Sequence, residues 1–170
     1  MLAARFAKLT MVSSLAVFAF IVTFDNLTDY TSNYAFVQHV LSMDTTFVDS
    51  ALKYRAITSP LLWHVAYGLI IVVEGVTCAF LLAGAVAMAR SFRAEAADFN
   101  GAKRFAVIGV TVAFLLWFGG FMVVGGEWFA MWQSTLWNGQ EPAFRFYMTA
   151  LAVLIFVNQP DKELAERPRC

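Results

Sequence analysis

Glu74 is the lone carboxylate in the apolar stretch from Leu61 to Ala89. At helical spacing, His64, Tyr67, Ile71, Glu74 and Cys78 fall along one stripe, so an imidazole, a phenol and a carboxyl follow one another down a single helix face. Charge is costly in hydrocarbon, and an intramembrane acid therefore has two natural roles. It can be a neutral carboxyl tied across to a neighbouring helix, with Thr111 or a backbone carbonyl as partner. It can also be a proton or cation site, with Tyr67 and His64 leading outward from it. Beside this stripe run Gly75, Ala79, Ala83 and Ala87, and small residues every fourth position let two helix backbones approach closely.

The other candidate chemistry lies between the apolar stretches. His39 and Met43 are one helical turn apart and could present an imidazole and a thioether to copper or haem iron, with Asp29, Asp44 and Glu127 as oxygen donors. His39 and His64 are the only histidines, and the chain has no Cys-x-x-Cys-His for covalent haem. Ordinary interfacial histidines are the competing reading, and no cofactor is expected. Asp25, Asn26, Asp29, Asn33 and Asp44 cluster at the exit of the first apolar segment. Such residues cap helices and form turns. Arg55 and Arg145 are their expected counter-charges, or partners for Glu127 and Glu141, in a polar network that holds an outer cap onto the helices. A ligand site for a small polar molecule or cation is the alternative. No Gly-x-Ser-x-Gly, phosphate loop or two-histidine metalloprotease motif occurs, and no enzymatic activity is expected.

The elements that position these residues follow from composition. The 170 residues are 60% hydrophobic and 14% charged, an excess of apolar character that points to lipid. Twelve basic residues balance twelve acidic ones, which leaves no electrostatic footprint for nucleic acid. Four apolar segments, at about 9–24, 61–89, 105–124 and 143–157, predict an all-α, single-domain, four-transmembrane-helix bundle. The outer cap falls at 25–59 and 125–142. Ser59 and Pro60 are good start signals for the second span. A cleavage-like Val17-Phe18-Ala19 triplet would cut the first run, which is read as a retained span. Arg5, Lys8, Arg90, Arg93, Lys103, Arg104, Lys162, Arg167 and Arg169 lie on one side, against Lys53, Arg55 and Arg145 on the other. Basic residues favour the cytoplasm, so both termini are expected there. Trp63, Trp128, Trp132 and Trp137 then fall at the outer interface, as an aromatic belt does.

The outer segments have order of their own. Phe36, Val37, Val40 and Leu41 recur at helical spacing and predict a short amphipathic helix on the membrane. Thr46 and Asp49 have capping-box spacing, which predicts a second short helix through Leu52. Trp128, Trp132 and Leu136 share one face of the second outer segment. Cys78 and Cys170 belong to different membrane depths, so no disulfide is expected.

The run Asp25-Asn26-Leu27-Thr28-Asp29-Tyr30, then Asn33-Tyr34, then Val37 to Thr46, resembles the first-loop signature of a bacterial family of predicted small integral membrane proteins, domain of unknown function 2165. Tyr54-Arg55-Ala56-Ile57 and Glu74-Gly75 extend the resemblance over essentially the whole chain. The resemblance implies a four-span topology in a bacterial inner membrane and brings no activity, cofactor or catalytic residue. The expected function is that of a non-enzymatic accessory subunit, bound in the bilayer to another membrane protein or to a second copy. A small transporter or proton-linked channel using Glu74 is the alternative, and a haem- or quinone-binding redox carrier a weaker one.

Overall fold

The computed structural model describes residues 1–164; Arg167, Arg169 and Cys170, which the charge and cysteine readings include, lie outside the described residues. All regular secondary structure among the described residues is helical, with no strand. Helix α1 spans Leu2–Thr28, α2 Tyr30–Ser42, α3 Pro60–Arg90, α4 Ala96–Ala102, α5 Arg104–Phe114 and α6 Gln140–Asn158. Beyond Phe114, α5 runs on as a wider π-helical stretch, Leu115–Trp128, and Phe129 N–H still bonds back five residues to the Val124 carbonyl. Short 3-10 turns stand at Lys53–Arg55 and Met131–Gln133.

Three helical segments are long and apolar enough to cross a membrane: Leu2–Thr28, Pro60–Arg90 and Ala96–Trp128. The 19-residue α6 is not among them, and its first two turns carry Gln140, Glu141 and Arg145. Its C-terminal end nonetheless returns to where α1 begins, because the Gln159 carbonyl accepts from both Lys8 and Lys103. The molecule thus has a terminal end, built from the start of α1 and the end of α6, and a cap end, built from residues 29–59 and 129–139.

Helix ends depart from the sequence reading for local reasons. Pro60 sits at the first position of α3, where its missing N–H costs nothing, and Ser59 holds the cap position with an extended backbone but no side-chain cap bond. Helix α1 continues through Asp25 and Asn26, with Thr28 Oγ1 donating back to the Phe24 carbonyl, until Asp29 breaks it. The amphipathic segment around Phe36 is the 13-residue α2, which buries Val37 and Val40 and packs against α3. The helix expected after Thr46 does not form. Met43 ends α2 in the left-handed region (φ 53°), and Thr46 Oγ1 donates back to the Met43 carbonyl instead of capping a following turn.

Helix α3 is central, packed against α1 on one side and α5 on the other. Val12, Ala16 and Ala19 of α1, Cys78, Leu81, Ala85 and Met88 of α3, and Ala106 and Val110 of α5 make one continuous core. The closest approach is at glycine. A Cβ on Gly84 would lie 2.6 Å from the Ala106 backbone nitrogen, and one on Gly109 would lie 2.9 Å from Leu81 Cγ. The expected seam does not carry this packing within the chain. Gly75 is half-buried, with its nearest neighbour Thr23 Cγ2 at 3.7 Å from a Cβ built there, and Ala87 is half-buried, but Ala79 and Ala83 are exposed. The face of α3 turned inward carries Glu74, Cys78, Leu81, Ala85 and Met88, and Ala79 and Ala83 lie beyond its edge.

A buried ionic lock closes the terminal end. Lys8 and Lys103 both donate to Asp161 Oδ2, at 2.6 and 2.5 Å. Burial pushes the Asp161 carboxyl up, but hydrogen bonds from Lys103 and Lys8 outweigh it and hold the group below the usual carboxylate range. Arg5, 0% exposed, donates to the carbonyls of Phe92 and Ala94 at 3.1 and 2.7 Å and lies over the Phe99 ring. Three of the basic residues that orient the chain therefore also join α1, the α3–α4 turn, α5 and the segment after α6.

Candidate functional site

Near the middle of α3, Glu74 is 3% exposed, and its hydrogen-bond partner lies on α1. Asn26 Nδ2 donates to Glu74 Oε2 at 2.7 Å. The Asn26 side-chain oxygen in turn accepts from Tyr67 Oη at 3.1 Å and from Asn33 Nδ2 at 2.6 Å. One amide thus joins a carboxyl and a phenol of α3 to a residue of α2. Asn26 can do this because α1 outlasts its apolar run by a full turn, carrying its amide inward. Thr111, the partner expected from sequence, is exposed and spends its hydroxyl on the Val107 carbonyl within its own helix.

The result is a polar ladder. It starts at exposed Asn33, passes through buried Asn26 and ends at Glu74. Toward the terminal end the ladder stops, for buried Thr77 spends its hydroxyl on the Val73 carbonyl of its own helix. Cys78 Sγ lies 3.7 Å from the Ala16 carbonyl, and Leu81, Val12 and Met88 then fill the interior. The ladder ties Glu74 by hydrogen bonds to the cap side, and apolar packing lies between it and the lock at Asp161.

His64 and Tyr67 lie on the same stripe as expected but face different surroundings. Tyr67 is 1% exposed, whereas His64 is exposed, stacked on Tyr34 with ring centroids 4.3 Å apart. His64 Nδ1 shares a hydrogen bond with Tyr30 Oη at 2.8 Å, and the Tyr30 ring touches Tyr67. His39 belongs to a separate contact: it stacks on Trp137 and its Nδ1 donates to Asp44 Oδ2 at 2.8 Å. Met43, one turn on, is buried with Val40, Phe129 and Met131 instead of presenting its sulfur beside that imidazole. Among the described residues no three of His, Cys, Asp and Glu are grouped as a metal ion would need.

The outer polar cluster also divides. Asn26 and Asn33 join Glu74, Asp29 accepts from Ser32, and Asp44 takes His39. Asp25 and Glu127 are exposed. Neither arginine meets the aspartates. Arg145 pairs with Glu141 one turn before it, and Arg55 donates to the Trp128 carbonyl while lying over the Trp128 ring. Among the described residues no charge network ties the cap to the helices. Val37 packs against Tyr67 and Ile71, Asn33 and Tyr30 make neutral hydrogen bonds to Asn26 and His64, and Val40, Met43, Phe129, Ala130 and Met131 form the cap's own small core.

A feature that no residue pattern announced lies beneath that core. A cavity of about 500 Å³ sits between α2, α3 and the π-helical stretch, walled by Val37, Leu41, Ile70, Val73, Leu116 and Phe121 and roofed by Phe129 and Met131. Gly120 and Gly125 stand on its π-helical wall, where missing side chains leave the volume open. Leu69, Leu115 and Val124, also on its wall, are exposed, so the cavity opens sideways from the helices.

A family model described as predicted small integral membrane protein (DUF2165) matches residues 4–160, and the chain belongs to that family. No curated protein and no solved structure matches the chain.

Proposed function

We propose that this integral membrane protein is a non-enzymatic accessory subunit that lies side-on against a larger assembly in a bacterial inner membrane. On this reading α6 is a fourth, short span, and both termini are cytoplasmic, the side favoured by the basic residues of the terminal end. The supporting observation is the closed interior. Glu74 ends a polar ladder, apolar packing follows it, and the Lys8–Asp161–Lys103 lock seals the far end. Such an interior suits a rigid element better than a conduit. Outside, α3 offers the smooth exposed stripe Val72, Val76, Ala79, Ala83 and Val86 to a neighbouring helix. Extraction from native membranes in a mild detergent should yield a stoichiometric partner. A double substitution, Ala79→Phe with Ala83→Phe, should release it while the variant stays monodisperse. Migration of the wild-type chain alone at every expression level would refute the proposal.

A second reading is a proton-linked channel or transporter using Glu74, and the Asn33–Asn26–Glu74 ladder is what favours it. Glutamine at position 74 keeps a carbonyl oxygen for Asn26 and removes the acid. Unchanged flux in Glu74→Gln, with folding intact, would rule this reading out.

A further inference from the structure

We propose that the lateral cavity beneath the cap binds one acyl chain of an anionic phospholipid, whose phosphate is held by Arg55 at the rim. Three observations converge on this. The cavity is of ligand size, about 500 Å³, and its wall is built from aliphatic, aromatic, glycine and methionine residues. Exposed Leu69, Leu115 and Val124 place its mouth on the lipid-facing surface, where hydrocarbon is the available filling and water is not.

The charge at the rim selects the headgroup. Arg55 lies with its guanidinium carbon 4.5 Å from the Trp128 ring centre, and Trp128 adjoins Phe129 in the cavity roof. Ala56, next along the chain, packs into the same cap core as Phe129 and Met131. Arg55 spends Nε on Tyr54 Oη and one Nη1 hydrogen on the Trp128 carbonyl, which leaves Nη2 for a further acceptor. Among the described residues no carboxylate lies within ion-pair distance of it; exposed Glu127 adjoins Trp128 in sequence without pairing. Lys53, two residues earlier in the same 3-10 turn, is exposed and adds positive charge. An arginine placed over an indole, half-exposed and without a counter-charge, suits phosphate recognition.

The glycines of the π-helical stretch supply the test. A Cβ on Gly120 meets nothing nearer than Leu116 Cδ1 at 3.8 Å, so a larger side chain there enters the cavity without striking backbone. The probes are dioleoyl phosphatidylglycerol and its zwitterionic phosphatidylcholine counterpart, titrated onto the full chain in detergent and read by native mass spectrometry. One phosphatidylglycerol should be retained per chain, in preference to phosphatidylcholine. Gly120→Leu should lower retention of both lipids about tenfold without lowering the melting temperature. Arg55→Gln should lower phosphatidylglycerol about tenfold and phosphatidylcholine less, because choline already offsets the phosphate that both lipids carry, so the preference for the anionic lipid narrows. Equal retention by Gly120→Leu and wild type would overturn the cavity assignment. An anionic preference unchanged in Arg55→Gln, no preference for the anionic lipid in the wild type, or a co-purifying neutral quinone insensitive to Arg55→Gln would overturn the headgroup assignment.

Discussion

Placing a methyl group on Gly84 probes the tight approach of α3 to α5. The added Cβ would stand 2.6 Å from the Ala106 nitrogen and 3.0 Å from both Ala106 Cα and Cβ. None of these atoms can rotate away, so α3 and α5 must separate or shift along one another. Overpacking of this kind costs about 1–3 kcal/mol. Against it stands the gain from replacing glycine by alanine in a helix, up to about 1 kcal/mol. Gly75→Ala measures that gain by itself, because its Cβ meets only Thr23 Cγ2 at an ordinary 3.7 Å. The informative quantity is the difference between the two variants, about 1–3 kcal/mol with Gly84→Ala the less stable. Thermal unfolding in one mild detergent, followed by loss of the monodisperse size-exclusion peak, should put the Gly84→Ala midpoint several degrees below that of Gly75→Ala. Equal midpoints would mean that α3 does not approach α5 at Gly84 and that the packing described above is wrong.

The lock and the ladder give two further expectations. Asp161→Asn leaves Lys8 and Lys103 together without their carboxylate, and breaking a buried pair in this way costs about 3–5 kcal/mol. Because the folded Asp161 carboxyl lies below its unfolded value, its stabilisation is complete above about pH 4 and is lost as pH falls through the folded value. Wild type should therefore lose an increment of stability in acid that Asp161→Asn lacks; parallel pH–melting curves would refute this. Asn26→Leu removes the shared amide and leaves Glu74 without its buried partner, at about 1–3 kcal/mol, while Tyr67 Oη keeps the main-chain carbonyl of residue 26. Its melting midpoint should fall while Asn33→Ala, at the exposed end of the ladder, stays close to wild type.

Some of this was legible in the sequence, and the rest was not, for reasons particular residues make clear. The apolar runs and Pro60 locate α3 to within a residue at each end, because length and composition suffice for that. The stripe holding Glu74 follows from helical periodicity. Which face turns inward does not: Gly75, Ala79, Ala83 and Ala87 have the right spacing, yet the fit of Leu81 against Gly109 and of Gly84 against Ala106 decides the rotation. Arg5 and Lys8 read as orienting charges, but their partners Phe92, Ala94 and Asp161 are remote in sequence and no local pattern joins them. An apolar run such as Leu115–Trp128 reads alike whether its bonds close over four residues or five, so the π-helical stretch is invisible beforehand. The cavity is a volume between three elements, and it has no one-dimensional signature.

The lock also separates the two proposed functions. A transport cycle through Glu74 has to open the packing of Cys78, Leu81 and Met88 against Val12 and Ala16. That motion swings the terminal ends of α1 and α3 apart, while Lys8 and Lys103 tie the start of α1 and the start of α5 to one carboxylate. On a transport reading, Asp161→Asn therefore loosens a gate and should raise proton leak in vesicles, with Glu74→Gln suppressing the increase. On an accessory reading the same substitution lowers stability and partner retention, and leak stays at the level of protein-free vesicles with or without the acid at position 74. Leak raised by Asp161→Asn and abolished by the added Glu74→Gln would favour transport. Leak unchanged in both, with partner lost from the destabilised variant, would favour the subunit.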